Sequence, residues 1–108
     1  MSEFCDVNLS LVNNVWIKQM CFASKGSVAQ THAHRFDHQT LLAVGSLRVT
    51  TDGIVNDYQA PAILLVQAGT HHRLEALEDG TVAYCVHRLT DDEAVVEDIP
   101  NEALHSLA

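Results

Sequence analysis

The chain has 108 residues, 47% of them hydrophobic and 19% charged, which suits one domain (1–108) with a single modest core and excludes a disordered chain. Its 14 acids against 6 Lys and Arg give a formal net charge of −8, which opposes a phosphate-tracking surface and excludes nucleic acid as the primary partner. No stretch approaches the roughly 20 apolar residues of a membrane helix, and the acidic opening Met1-Ser-Glu-Phe-Cys-Asp lacks the basic and apolar regions of a secretory leader, so a cytoplasmic protein with no membrane partner is expected.

In chain order, residues 7 to 23 alternate loosely and include Val15-Trp16-Ile17-Lys18-Gln19-Met20-Cys21-Phe22, the composition of one or two strands. Ser24-Lys25-Gly26-Ser27 breaks them. A histidine-bearing strand follows, then the apolar strand Thr40 to Val44, a tight turn at Gly45-Ser46, and Leu47 to Thr51. Asp52-Gly53 is a two-residue hairpin signal that sends the chain back as Ile54 to Tyr58. After Ala60-Pro61, the run Ala62 to Val66 reads as a strand buried on both faces. Gln67 to Thr70 turns the chain into His71 to Leu77, Glu78-Asp79-Gly80 turns it again, and Thr81 to His87 is a last long strand. Residues 91 to 108 carry six acids and no Lys or Arg, and read as a solvated cap with a short helix around Asp91 to Val96, ended by Pro100. About eight short strands and no long helical period predict an all-β chain, folded as an antiparallel double-sheet jelly roll or β-barrel with an acidic tail.

Cys5, Cys21 and Cys85 are odd in number and widely spaced, which suggests neither a disulfide framework nor a thiolate zinc site. Cys5 is expected near the surface, and Cys21 and Cys85 as small core residues.

Histidine carries the chemical signal. On a strand, His32 and His34 point to the same face, and His38, after Arg35-Phe36-Asp37, keeps that parity, so three imidazoles can converge on one point. By spacing alone a metal site and satisfied or exposed histidines are evenly matched. A second cluster, His71-His72, follows downstream, its two rings on opposite faces of a strand.

The run Gly26-x5-His32-x-His34-x3-His38-x6-Gly45 resembles the first motif of the cupin superfamily, with His38 where the family usually has Glu. Gln67-x-Gly69-x2-His72 resembles the second motif in part, since Gln67 stands at its Pro position and Ala76 at its Asn position. The resemblance implies a small single-domain cupin with His32, His34, His38 and His72 as metal ligands. His71 then lines the mouth or faces outward, and His87 is a hydrogen-bonded strand histidine. Imidazole ligands suit a divalent transition metal, Fe, Mn, Cu, Ni or Zn, over magnesium or calcium. Four neutral imidazoles cancel none of the ion's charge, which makes a strong Lewis acid and attracts anions.

Cupins with four histidines resemble, as a group, metal-dependent oxidoreductases, and this implies a dioxygenase-like or peroxide-dependent activity on a small molecule. The alternative is a non-catalytic metal-bound binding or sensing module. Arg35 and Arg73, each next to a ligand, point away from it, while Lys18, Arg48 and Arg88 reach the interior only if their strands have the right parity. An apolar pocket lined by Trp16, Met20, Phe36, Leu42, Tyr84 and His71 is therefore expected, for a neutral substrate or an anion bound by the metal itself. The resemblance, with the need to cover an exposed sheet edge, also implies a homodimer.

Overall fold

The computed structural model describes residues 4–30 and 37–89. The expectations for Met1 to Glu3, for His32, His34, Arg35 and Phe36, and for the acidic tail with its short helix lie outside the described residues.

Nine strands follow one another: β1 (Asp6–Val12), β2 (Val15–Phe22), β3 (Val28–Gln30), β4 (His38–Val44), β5 (Ser46–Thr51), β6 (Ile54–Gln59), β7 (Ala62–Val66), β8 (His72–Ala76) and β9 (Thr81–Arg88). They form two sheets, a five-stranded one in the order β1-β2-β9-β4-β7 and a four-stranded one in the order β3-β8-β5-β6, with every strand pair antiparallel. From β4 onward the chain changes sheet four times, which winds the two layers around a common core.

The turns explain how short strands can do this. Asn13 and Asn14 both have positive φ, 51° and 63°, and close the β1–β2 hairpin as a primed turn that matches strand twist. Asp52 and Gly53, at 48° and 83°, do the same between β5 and β6, as the Asp-Gly pair predicts. Gly45, at φ 86°, is the corner where β4 leaves one sheet and β5 enters the other. A Cβ there would meet Thr81 Cα at 3.0 Å, so only glycine fits the corner.

Inward residues alternate along each strand and meet in one core of Trp16, Met20, Phe22, Ala29, Leu42, Leu47, Leu64, Leu74, Ala76, Ala83 and Cys85. Trp16, Met20 and Leu47 are fully buried, and each contributes on the order of 2 kcal/mol by leaving water. Cys85 belongs to this core, as expected; Cys21 sits half-buried in an outward position, and Cys5 is half-buried against the core edge.

One strand differs from its sequence reading. β7 is an edge strand whose Leu64 and Val66 are buried while Ile63 and Leu65 are 71% and 63% exposed. An unbroken apolar run therefore does not mark a strand covered on both faces here; only its inner face packs.

Candidate metal centre

His38 opens β4 and His72 opens β8, so the two rings come from opposite sheets. Both point inward: His38 is 4% exposed and His72 7%. His38 pairs with Val66 on β7, and His72 pairs with Thr51 on β5. The two histidines line one cavity between the sheets, together with Lys18, Met20, Thr40, Val66, Leu74 and Cys85. At ≈ 10 Å³ it has room for a water or an ion and for no organic substrate.

Each ring is held by neighbours. Trp16 stands edge-on to His38, with ring centroids 5.8 Å apart and planes at 81°. Thr70 Oγ1 lies 2.8 Å from His72 Nε2 and also donates to the Gln67 carbonyl at 2.7 Å, which ties the β7–β8 turn to the ring. The Ala68 amide donates to Asp37 Oδ1 at 2.6 Å and fixes the same turn to the start of β4. In the next inward row Thr40 Oγ1 and Cys85 Sγ are 3.5 Å apart.

A transition metal fits this donor set in kind. Two buried imidazoles from facing sheets, around a space of ionic size with no acidic residue among its described lining, offer the neutral nitrogen ligands such an ion takes. His32 and His34, the other two expected ligands, lie outside the described residues, and among the described residues no three His, Cys, Asp or Glu groups gather as a metal site. His71 is exposed, facing away from His72 as strand alternation requires.

Of the residues expected to line a pocket, Met20 borders the cavity, Trp16 packs on His38, and Leu42 is buried in the core. Phe36 lies outside the described residues. Tyr84 is a correction: it pairs with Gln19 and Leu41 on the outer face of the five-stranded sheet, where its hydroxyl accepts a hydrogen bond from Gln19 Nε2 at 2.9 Å. Its even position on β9 puts it opposite in parity to Ala83 and Cys85.

Of Lys18, Arg48 and Arg88, whose reach to the interior depends on strand parity, Lys18 has the inward parity. Lys18 shares the inward parity of Trp16, Met20 and Phe22 and borders the His38–His72 cavity. That parity was readable in the spacing of the three apolar residues around it. Arg48 and Arg73 instead lie exposed, paired with Asp57 and Glu75. His87 pairs with Trp16 and shares with His38 an open groove of ≈ 330 Å³ that Asp37, Gln39, Leu65, Val86 and Arg88 complete.

Known structures share this architecture. KdgF from Halomonas sp. matches with a TM-score of 0.67 at 18% identity over 82% of each chain. A cupin superfamily protein from Desulfitobacterium hafniense matches with a TM-score of 0.70 at 15% identity, over 83% of this chain and 82% of that one. The fold is the cupin fold. An RmlC-like cupin with a double-stranded β-helix from Methanocaldococcus jannaschii gives a TM-score of 0.69 at 13% identity, over 81% and 82% of the two chains. No protein-family model matches the chain, and no curated protein matches it. The two buried histidines lie within the two motif runs, His38 at the start of β4 and His72 at the start of β8 after the Gly69 turn. Among the described residues no helix is long and apolar enough to cross a membrane.

Proposed function

We propose that this cupin-fold protein binds a divalent transition metal through His32, His34, His38 and His72 and acts on a small molecule as a dioxygenase-like oxidoreductase. The observation that carries the reading is the burial of His38 and His72, from opposite sheets, around one cavity of ionic size. Burying two imidazoles in a core this small is costly unless their nitrogens are used, and a metal uses them. Such an ion would supply Lewis acidity and, for iron, manganese or copper, access to one-electron chemistry. The protein's own part is to hold the rings. Trp16 fixes the plane of His38, and Thr70 holds His72 at Nε2, a position it must yield if that nitrogen ligates.

A sensing module, in which metal or ligand occupancy is read by a partner, uses the same residues. The two differ in turnover. Elemental analysis of protein purified without added metal is expected to show one transition metal per chain, lost in His72→Ala and His38→Ala and retained in His71→Ala. Oxygen or peroxide consumption by the loaded protein with enolisable and aromatic compounds is expected to depend on His72. Equal turnover by His72→Ala removes the enzyme, and metal-free wild-type protein removes the site. We also propose a cytoplasmic homodimer joined through the outer face of the five-stranded sheet, which is free of charged side chains across its central rows.

A further inference from the structure

The turn before β8 is built around one carbonyl. Gly69, at φ 78°, bends the chain back, and both the amide and the hydroxyl of Thr70 reach the Gln67 carbonyl, at 3.4 and 2.7 Å. Thr70 Oγ1 also lies 2.8 Å from His72 Nε2. A threonine hydroxyl has one proton and a carbonyl can only accept, so the bond to Gln67 uses that proton. Oγ1 then has only lone pairs to offer His72. The ring nitrogen is therefore the donor, and Nε2 carries a hydrogen.

That hydrogen stands in the way of ligation. Nδ1 is completely enclosed in His72 and in His38 alike, so neither Nδ1 opens onto the cavity between the two rings. The nitrogen that each ring can offer there is Nε2. In a neutral imidazole the nitrogen that bears the hydrogen has no lone pair to give, because only the bare nitrogen accepts or ligates. The tautomer that Thr70 selects is the one that cannot ligate through Nε2.

We infer that Thr70 is a latch on the proposed metal centre: in the metal-free protein it holds His72 as the Nε2–H tautomer, and His72 can ligate only after that bond opens. On opening, the hydrogen bond between Oγ1 and Nε2 breaks, and the ring's single proton leaves Nε2 and is taken up at Nδ1. The Nε2 lone pair becomes available, and the ring is neutral before and after. Thr70 is thus a positioning residue that acts through His72. It is half-buried in the turn, and the Ala68 amide ties that turn to Asp37 at 2.6 Å, so the hydroxyl can swing while the starts of β4 and β8 stay in place. The inference rests on the function proposed above for what the latch controls, and on the hydrogen bonds alone for the tautomer.

The test uses the 108-residue chain, metal-free and nitrogen-labelled for magnetic resonance, with Zn(II) as the probe. Long-range proton–nitrogen spectra of metal-free wild type are expected to give His72 the pattern of the Nε2–H tautomer, and those of Thr70→Val a mixture of both tautomers. Against a competing chelator, Thr70→Val is expected to bind Zn(II) about three- to tenfold tighter than wild type, the contribution of one hydrogen bond. Thr70→Ser keeps the hydroxyl and is expected to restore the wild-type tautomer, with affinity within about twofold of wild type. Thr70→Ala carries the same comparison if valine disturbs the turn. An Nδ1–H tautomer in metal-free wild type, Zn(II) binding no tighter without the hydroxyl, or a serine variant that behaves like valine each overturns the latch. Zn(II) binding absent from wild type and variants alike defeats the proposed function and the latch together. Zn(II) bound by wild type and lost in His72→Ala, with the tautomer or the Thr70→Val result reversed, defeats the latch alone.

Discussion

The indole of Trp16 meets the imidazole of His38 edge-on, at a centroid separation of 5.8 Å. Trp16 is the chain's one tryptophan and is fully buried, so its emission reports on a single ring and a single environment. A paramagnetic ion on His38 would lie within contact range of the excited indole. Addition of Cu(II), Co(II) or Ni(II) to metal-free protein is expected to quench the emission saturably, and His38→Ala is expected to abolish the saturable phase. A quench unchanged in that variant would place the ion elsewhere. Because ligation needs neutral imidazole, the half-saturating metal concentration should rise as pH falls through about 6.

Gly45 ends the first motif run, and its role is steric. The residue turns β4 out of one sheet into β5 of the other at φ 86°, with Thr81 Cα and Cβ each 3.0 Å from where a Cβ would stand. Thr81 is itself fully buried and donates from Oγ1 to the Glu78 carbonyl at 3.0 Å, so it has little room to retreat. Gly45→Ala combines a left-handed backbone with an overpacked contact and is expected to cost about 2–5 kcal/mol in urea unfolding. Gly53→Ala has the same sign of φ but open space around it, and is expected to cost about half as much or less.

The fold and part of the centre were legible in the residues for specific reasons. Asp52-Gly53 named its turn because few sequences tolerate two positive φ values, and Asn13-Asn14 carried the same signal between two strands read only loosely. At His71-His72 parity put the two rings on opposite faces, and the spacing of the motif that the run resembles selected His72, the buried one. What failed were inferences from hydrophobicity without position. Ala62 to Val66 is apolar throughout, yet an edge strand covers one face, so Ile63 and Leu65 stay in water. Tyr84 failed in the same way: chemistry suggested the tyrosine inside, while strand alternation from Cys85 puts it on the outer face, and Lys18, whose direction depended on parity, follows Met20 inward.

Arg48 and Asp57 face each other across β5 and β6, with Nε to Oδ1 at 2.8 Å and the second amine to Oδ2 at 3.0 Å. The guanidinium holds the Asp57 carboxyl below its ordinary value, and the same bond raises Arg48. A depressed carboxylate pKa stabilises the fold above the unfolded value near 4, and that contribution disappears as pH falls through the folded value. Asp57→Asn is therefore expected to melt slightly below wild type at pH 7, with the gap closing as pH falls below the ordinary carboxylate value and through the folded one. Both groups are exposed, so the gap should also shrink in high salt. A difference independent of pH would mean that the hairpin, not the charge, was disturbed.

On the outer face of the five-stranded sheet, cross-strand register aligns Asn8, Gln19, Tyr84, Leu41 and Ile63 in one row and Ser10, Ile17, Val86, Gln39 and Leu65 in the next. Neither row holds a charged residue, in a chain whose net charge is −8. Two copies would repel through most of their surfaces, but through this face they can meet apolar to apolar, and a two-fold axis makes one patch its own complement. Ile63 and Leu65 are the most exposed apolar groups there. Light scattering of the 108-residue chain is expected to give twice its 11.9 kDa mass, falling to one chain in Ile63→Lys/Leu65→Lys. Since both side chains are largely in water within the single chain, their replacement should leave the single-chain fold intact by circular dichroism. A mass of one chain for wild type at micromolar concentration defeats the dimer, and a dimer that survives the double lysine substitution must be joined through another face.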